Sequence, residues 1–362
     1  MSAEILPPCQ AACPVHTDAG GYARLIAEGR YEEAFEVICR TNPFPSVCAH
    51  ICQRPCEKSC RRAQVDAAVA IRALKRFVVQ RMGDRSESTP SGVREVPEES
   101  VGLGRSGAVI EPEGSTPNAA PEADKARVAV VGAGPAGLTA AQDLRRAGHR
   151  VTVFERLDRP GGMLNVIPRY RLPQEALDAD AQAILETGIE VRYGFEVGRH
   201  ATVTGLLERG FEAVVVATGL SRSRGIAVPG FGAQRFTAAI PWMADVWMGE
   251  KVDLGRRVAV IGGGNVAVDV ARTARRLGAE DVSMIFLENW EECPAEPHEV
   301  ELAKGEGIRM LPRQALKRVF NREGRIVAIE LMAVVSVFDE AGRFRPSYDP
   351  SRIRTLAADM VV

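Results

Sequence analysis

Net charge is almost absent from this chain. Across 362 residues, 46 Lys and Arg stand against 47 Asp and Glu, leaving a formal charge of -1. A balance so close to zero creates no global basic field, which argues against nucleic acid or an anionic membrane as partner. Long apolar runs are missing as well. No stretch approaches the ~18 consecutive apolar residues of a membrane span, so no membrane insertion is expected. Residues 1–8 carry neither the basic nor the apolar region of a secretory signal, so a cytoplasmic location is expected. No pattern of a catalytic triad or a metal hydrolase occurs, and no catalytic acid, base or nucleophile is assigned. Cysteine is scarce after residue 60, where only Cys293 is found. Seven crowd the start: Cys9, Cys13, Cys39, Cys48, Cys52, Cys56 and Cys60. Disulfides are disfavoured in a reducing compartment, so thiols clustered in this way read as metal ligands.

What the chain does have is glycine and apolar residues. Its 34 glycines and 46% hydrophobic content suit an α/β protein of two or three domains. The strongest signal is Val128-Ala129-Val130-Val131-Gly132-Ala133-Gly134-Pro135-Ala136-Gly137, an apolar strand running into G-x-G-x-x-G. A helical pattern follows through Leu138, Ala141 and Leu144, then the apolar run Val151-Thr152-Val153-Phe154, closed by Glu155. That order is a dinucleotide-binding βαβ unit. Gly132 permits the sharp turn off the strand, Gly134 leaves room for a pyrophosphate, and Gly137 lets helix and sheet pack closely. The helix start presents free N–H groups, and Glu155 can accept bonds from ribose hydroxyls. Further on, residues 189–193 and 211–217 read as strands, the second ending in Ala217-Thr218-Gly219 where ligands of open sheets sit.

The motif then returns. Val258-Ala259-Val260-Ile261-Gly262-Gly263-Gly264-Asn265-Val266-Ala267 repeats residues 128–137 at an offset of 130, with five of ten positions identical. A helix follows, then an apolar strand over residues 282–287 ending in Glu288. Ala267 replaces the third glycine with a residue small enough for close packing. Two nucleotide-free Rossmann-like sheets are the bland alternative for this second unit, and the nucleotide-binding reading is preferred to it. The last segment, residues 326–334 and 338–345, reads as a β-hairpin with residues 339–343 as its turn. The chain's stop at Val361-Val362 reads as a truncated apolar strand.

Before the first nucleotide unit, residues 1–80 are helical in pattern. Tyr22, Leu25 and Ile26 mark one helix, Tyr31, Phe35 and Ile38 another, and Ile71, Leu74 and Val78 a third. Cys48, Cys52, Cys56 and Cys60 would form one stripe on an unbroken helix, but Pro55 breaks it. Turns that wrap the thiols around a compact centre are expected. By itself this run could satisfy zinc, or could hold thiols merely buried; a flavin-type unit beside it favours iron–sulfur and electron transfer. Cys39 reads as core, Cys293 as incidental, and His16 and His50 as surface or capping residues. Residues 81–125, polar and proline-bearing, read as a flexible linker, with a short ordered stretch near 101–110 left open.

With these motifs in view, nearly the whole chain resembles the small subunit of glutamate synthase and its relatives, iron–sulfur flavoproteins that move electrons between NAD(P)H and partner clusters. Its amino-terminal half is also similar to dihydropyrimidine dehydrogenase. The resemblance is carried by Cys9-x3-Cys13-Pro14, Asn42-Pro43-Phe44-Pro45-Ser46-Val47-Cys48, the run from Cys52 to Cys60 and Val69-Ala70-Ile71-Arg72-Ala73-Leu74-Lys75-Arg76-Phe77. It continues in the two glycine motifs, Gly161-Gly162-Met163 with Leu164, Tyr170-Arg171-Leu172-Pro173, and Ala217-Thr218-Gly219. It implies a helical [4Fe–4S] domain (1–80) held by Cys9, Cys13, Cys48, Cys52, Cys56 and Cys60, ahead of two Rossmann-like domains in a glutathione-reductase-like arrangement. FAD is implied at residues 126–235, through Gly132, Gly134, Pro135, Ala136, Gly137, Glu155, Gly162, Met163, Leu164, Arg171, Ala217, Thr218 and Gly219. A nicotinamide nucleotide is implied at residues 236–345, through Gly262, Gly264, Asn265, Ala267 and Glu288. Residues 346–362 would begin a returning segment of the FAD domain.

Three departures from that pattern shape the expectations. Relatives with two clusters carry another cysteine pair upstream of Cys9, so one cluster is expected here and a second would need Cys39 or a non-cysteine ligand. NADPH-using relatives end the second strand of the nicotinamide domain with Tyr-Arg-Arg, where this chain has Phe286-Leu287-Glu288. A carboxylate repels a 2′-phosphate and accepts bonds from a free ribose diol, so NADH is expected over NADPH. Arg275 and Arg276 could rescue NADPH, though a solvated helical face is their blander reading. Relatives also continue past residue 362, so a truncated chain is expected. The function implied is an NAD(P)H oxidoreductase that passes electrons through FAD to iron–sulfur and on to an electron-accepting protein or larger catalytic subunit. The alternatives are a truncated, non-catalytic iron–sulfur and nucleotide-binding module, or a zinc-stabilised scaffold.

Overall fold

The computed structural model describes residues 6–87 and 125–362, apart from residues 222, 224–227, 231 and 233. These fall into two compact units: Met1–Gly161 with Glu175–Thr218, and Gly162–Gln174 with Gly219–Val362.

The first unit opens with six helices: α1 (Pro8–Ala11), α2 (Ala19–Ala27), α3 (Tyr31–Cys39), α4 (Pro45–Ile51), α5 (Pro55–Lys58) and α6 (Ile71–Glu87). Local chemistry sets their starts. The Asp18 carboxylate accepts from Gly21 N at 2.8 Å and caps α2. Proline opens both α4 and α5, where its missing N–H costs nothing. The cysteine run is broken as Pro55 requires, with Arg54 in the left-handed region at φ 59°. Tyr22, Leu25, Ala34, Ile38, Ile71 and Val78 form the buried core of these helices. The last helix overruns the expected linker. Arg81 lies over the Tyr31 ring, 4.6 Å from its centroid, and ties that turn of α6 back to α3. Residues 88–124 of the expected linker, with the stretch near 101–110, lie outside the described residues.

The same unit contains β1 (Lys125–Val131), α7 (Pro135–Arg146), β2 (His149–Phe154), α8 (Gln174–Leu185), β3 (Glu190–Arg192), α9 (Val203–Glu208) and β4 (Ala213–Val216). All pairs are parallel and the order is β3-β2-β1-β4, so the topology switches beside β1. A cap from α8 joins this α/β part to the helices. Asp180 of α8, 3% exposed, accepts from Ser46 N at 3.1 Å and Val47 N at 2.8 Å in the first turn of α4. Burial pushes its carboxyl up to about 6, against the pull of those two donors. Asp180→Ala leaves both N–H groups without an acceptor, an expected cost of about 1–2 kcal/mol. Thermal melting checks this, and a midpoint equal to that of the unaltered protein would show that the cap carries no weight.

The second unit contains α10 (Ala239–Trp247), β5 (Arg257–Ile261), α11 (Asn265–Arg276), β6 (Asp281–Ile285), α12 (Pro297–Gly305) and β7 (Arg309–Leu311). Then follow β8 (Gln314–Arg322), β9 (Arg325–Phe338), β10 (Phe344–Ala357) and β11 (Met360–Val361). A parallel sheet has the order β11-β5-β6-β7, and an antiparallel one the order β10-β9-β8. The expected hairpin is present as β9 and β10, with Asp339 accepting from Arg343 N at 3.0 Å across the turn. β8 escaped the sequence pattern because a register shift between Leu316 and Arg318 breaks its alternation.

Two assignments are corrected. Residues 346–362 do not return to the first nucleotide sheet. β10 pairs with β9, and β11 pairs with β5 in the second unit. Asp359 sets that register, accepting from the backbone N of Arg256 and of Arg257 at 2.9 Å each and from the Arg257 guanidinium at 2.6 Å. Buried Met360, Val361 and Val362 then cover the β5 edge, with Ile261 N donating to Val362 O at 2.7 Å. Residues 162–174, expected in the FAD domain, also group with the second unit. Their reason is an ion-pair network described below.

Candidate functional site

At the first glycine turn, Gly132 N donates to Phe154 O at 2.8 Å and φ is 108°. A Cβ on Gly132 would stand 2.5 Å from Ala217 O, and one on Gly137 would stand 1.8 Å from Gly132 O. Strand, turn and helix therefore close to a distance that no side chain permits. Gly134 is the N-cap of α7, Pro135 opens the helix, and no side chain caps it, so its first-turn donors face outward past exposed Ala136. Glu155 is buried and already employed: Oε2 accepts from Ala133 N at 2.7 Å and Oε1 from Leu157 N at 2.8 Å. Each oxygen keeps a second acceptor direction for a ribose hydroxyl. Ala217 and Thr218 border the turn at the end of β4, and Gly219 follows at φ 67°.

The second turn is built likewise. Gly262 N donates to Ile285 O at 2.8 Å with φ 141°, and Gly264 is the N-cap of α11 without a side-chain cap. Ala267 fits here because its Cβ stays 3.4 Å from the place a Gly262 Cβ would take. A Cβ on Gly263 would meet Phe286 Cβ at 3.0 Å and Glu288 Oε2 at 3.2 Å, so the bare glycine is what lets the Glu288 carboxylate lie against the turn. Asn265 Oδ1 accepts from Glu296 N at 2.9 Å, and Gly263 O accepts from Ala295 N at 3.1 Å and from the Cys293 thiol at 3.4 Å. Segment 289–296 is thereby stapled onto the turn. Sequence reasoning missed it because it has no periodicity, and Cys293 is not incidental to it.

Arg275 and Arg276 are both occupied. Arg275 donates to the carbonyls of Ala279, Glu280 and Glu306, while Arg276 pairs with Glu306 at 2.7 Å and lies over the Tyr170 ring. Gly162, Met163 and Leu164 lie in the short 3-10 segment Gly162–Val166 of the second unit. Arg171 is half of an ion pair there. Its Nη1 donates to both Asp269 oxygens at 2.6 Å, and its Nε stands 3.4 Å from Glu299. Burial works against the Arg171 charge, and the Asp269 bonds outweigh it. Arg272, 5% exposed, extends the network to Glu299 and Glu306.

Among the cysteines, four lie within electrostatic reach of buried Tyr22. Its hydroxyl, donating to Ile71 O at 3.2 Å, is raised by burial and then by Cys56, Cys13, Cys52 and Cys9. Cys9 and Cys56 pack against the same apolar core. Burial pushes the Cys56 thiol to about 11, with Cys52 adding to it, and also raises Cys48, which donates to Asn42 Oδ1 at 3.6 Å. Cys60 is held below its ordinary value by the N–H groups of Val69 and Arg62. Burial likewise raises the Cys39 thiol to about 11. His16 and His50 bond to the carbonyls of Gln10 and Ser46. Among the described residues no three His, Cys, Asp or Glu stand at metal-holding spacing. The donor chemistry nevertheless fits iron–sulfur: soft thiols from α1, α4 and α5 brought to one helical core.

The profile of pyridine nucleotide–disulphide oxidoreductases matches residues 126–356. The chain belongs to this family. A second profile, dihydropyrimidine dehydrogenase domain II with a 4Fe–4S cluster, matches residues 5–87. The chain is 35% identical to the NADP(+)-dependent formate dehydrogenase subunit beta of Moorella thermoacetica, over 99% of itself and 50% of that protein. It thus spans about half that relative's length. It is 32% identical to the glutamate synthase [NADPH] small chain of Azospirillum brasilense, over 99% of itself and 72% of that protein. It is also 32% identical to the NAD-dependent dihydropyrimidine dehydrogenase subunit PreT of Escherichia coli, over 84% of itself and 67% of that protein. FprA, a Mycobacterium tuberculosis oxidoreductase, shares the fold at a TM-score of 0.55 and 19% identity, covering 65% of this chain and 70% of that one. These names lend no support to NADH over NADPH. No helix among the described residues is long and apolar enough to cross a membrane.

Proposed function

We propose that this chain is an electron-transfer oxidoreductase module that takes a hydride from a nicotinamide nucleotide at the Gly262 turn to a flavin at the Gly132 turn. From there single electrons pass to iron–sulfur at the amino-terminal thiols and on to an electron-accepting protein or larger catalytic subunit. The observation that carries this reading is the pair of glycine turns in one chain, each with an uncapped helix start and a glutamate after the next strand. Bound flavin supplies conversion between two-electron and one-electron transfer. The residues supply placement. The α7 start and Gly134 would hold the pyrophosphate of FAD, with Glu155 fixing both the turn and a ribose. Gly262, Gly264 and the start of α11 would do the same for the nicotinamide nucleotide. Cys9, Cys13, Cys48, Cys52, Cys56 and Cys60 would supply the cluster's ligands.

The nicotinamide we favour is NADH. Glu288 lies against the second turn, and both nearby arginines are bound within the protein. Anaerobic purification with iron, zinc and flavin assays and an absorption spectrum tests the whole reading. Brown-yellow protein with flavin and iron is expected. Colourless protein containing zinc would leave the scaffold reading standing instead.

A further inference from the structure

Trp290 lies two residues beyond Glu288 and is 48% exposed, so a large apolar ring forgoes the burial it could gain. Its loop is nevertheless fixed. Asn289 Oδ1 accepts from Glu291 N and Glu292 N at 2.8 Å each, which closes a tight turn around Trp290. At the start of the loop Glu288 O accepts from Arg313 N at 3.1 Å. At its end Ala295 N and Glu296 N are bound to the glycine turn itself, through Gly263 O and Asn265 Oδ1. The ring is held as well. It stands nearly perpendicular to Phe286, with centroids 5.8 Å apart. The Lys304 ammonium lies 4.4 Å over it, and is itself paired with Glu301 at 2.8 Å. Phe286 is buried, and its Cβ is the atom that a Gly263 Cβ would meet at 3.0 Å. The glycine turn, Phe286 and Trp290 therefore form one continuous row, with the Glu288 carboxylate beside the turn.

We propose that Trp290 is the adenine platform of the nicotinamide nucleotide site, its open indole surface stacking on the base while Glu288 accepts from the adenosine ribose. This rests on the assignment of a nicotinamide nucleotide to the Gly262 turn. A ribose bonded to Glu288 carries its base on the carbon next to the 2′-hydroxyl, so the base falls within reach of a side chain two residues further on. Stacking a purine needs a flat aromatic surface, and any base will satisfy it because every base has a π-face. Phe286 and Lys304 hold that surface in place before the nucleotide arrives, so little side-chain freedom is lost on binding. A rigid, half-open indole at the mouth of a glycine turn has this use.

The experiment titrates the full chain with NAD+ and with ADP-ribose, which keeps the adenosine half and lacks nicotinamide. The unaltered protein, Trp290→Ala and Trp290→Phe are compared by calorimetry and tryptophan emission, with folding followed by circular dichroism. Trp290→Ala should bind both ligands about tenfold more weakly, the loss of one base–aromatic stack. Trp290→Phe keeps a ring and should stay within about threefold of the unaltered protein. ADP-ribose should quench the emission of the unaltered protein, and that quench should vanish in Trp290→Phe although Trp242 and Trp247 remain. Unchanged affinities in Trp290→Ala overturn the proposal. So does a loss that spares ADP-ribose, which would put Trp290 at the nicotinamide end. An equal loss in Trp290→Phe and Trp290→Ala with folding intact also overturns it, since the indole would then only support its loop. Should Trp290→Ala fail to fold, the emission of Trp290→Phe decides, and a quench that persists there overturns the proposal. An unaltered protein that binds neither ligand overturns the nucleotide reading of the Gly262 turn itself.

Discussion

Glu288→Arg is expected to move the chain's nicotinamide preference towards NADPH, shifting the ratio of the NADPH and NADH affinities about a hundredfold. The carboxylate follows β6 and lies against the second glycine turn, where its Oε2 would stand 3.2 Å from a Gly263 Cβ. An adenosine ribose bound at that turn would meet it. A free diol can donate to the carboxylate, whereas a 2′-phosphate is repelled by it. Arginine reverses both effects, and one charge-assisted bond to phosphate is worth about 1.5–3 kcal/mol. Since ~1.4 kcal/mol is a factor of ten, removing the repulsion and adding one such bond reaches about two decades. Glu288→Gln removes the repulsion alone and should move the ratio about tenfold. Dissociation constants for NAD+ and NADP+ measure this without any electron acceptor. Equal affinity of the unaltered protein for the two nucleotides would remove Glu288 as a determinant.

Asp269→Ala is expected to destabilise the second unit by about 3–5 kcal/mol, the cost of breaking a buried ion pair from one side. Arg171 places one guanidinium nitrogen 2.6 Å from both Asp269 oxygens, and both side chains are largely buried. Removing the carboxylate leaves that charge with Glu299 alone, at 3.4 Å. Burial pushes the Asp269 carboxyl above its ordinary value, and Arg171 pulls it back down. Replacing both partners, Arg171→Leu with Asp269→Leu, should recover most of the loss. Urea denaturation of the single and double variants checks this. A loss under about 1 kcal/mol in Asp269→Ala would mean that the network is not needed to hold residues 162–174 in their unit.

That network marks where sequence reasoning stopped. Tyr170-Arg171-Leu172-Pro173 is legible as a motif, and the resemblance assigns Arg171 of it to cofactor binding. Its partner Asp269 lies 98 residues away, a pairing that no local period announces. The same holds for Asp180 capping α4 from a separation of more than 130 residues, and for Glu296 N bonding Asn265. β8 was lost to a register shift, since a displaced residue inverts the alternation on which strand reading depends. Met360, Val361 and Val362 read as an unfinished strand because their partner, β5, lies about a hundred residues earlier.

By itself the sequence determined the features that depend on near neighbours. The two glycine turns, their helices and following acids, the split of the cysteine run at Pro55, and the α/β class all follow from local sterics and periodicity. Only the tertiary structure decided which sheet receives the last strand, which arginines are already engaged, and that Asp180 caps a helix far from it in the chain. Those facts depend on long-range pairing and burial. A charged side chain has the same letter in the chain whether it ends in water or in a buried ion pair such as Arg171 with Asp269, and only packing separates the two.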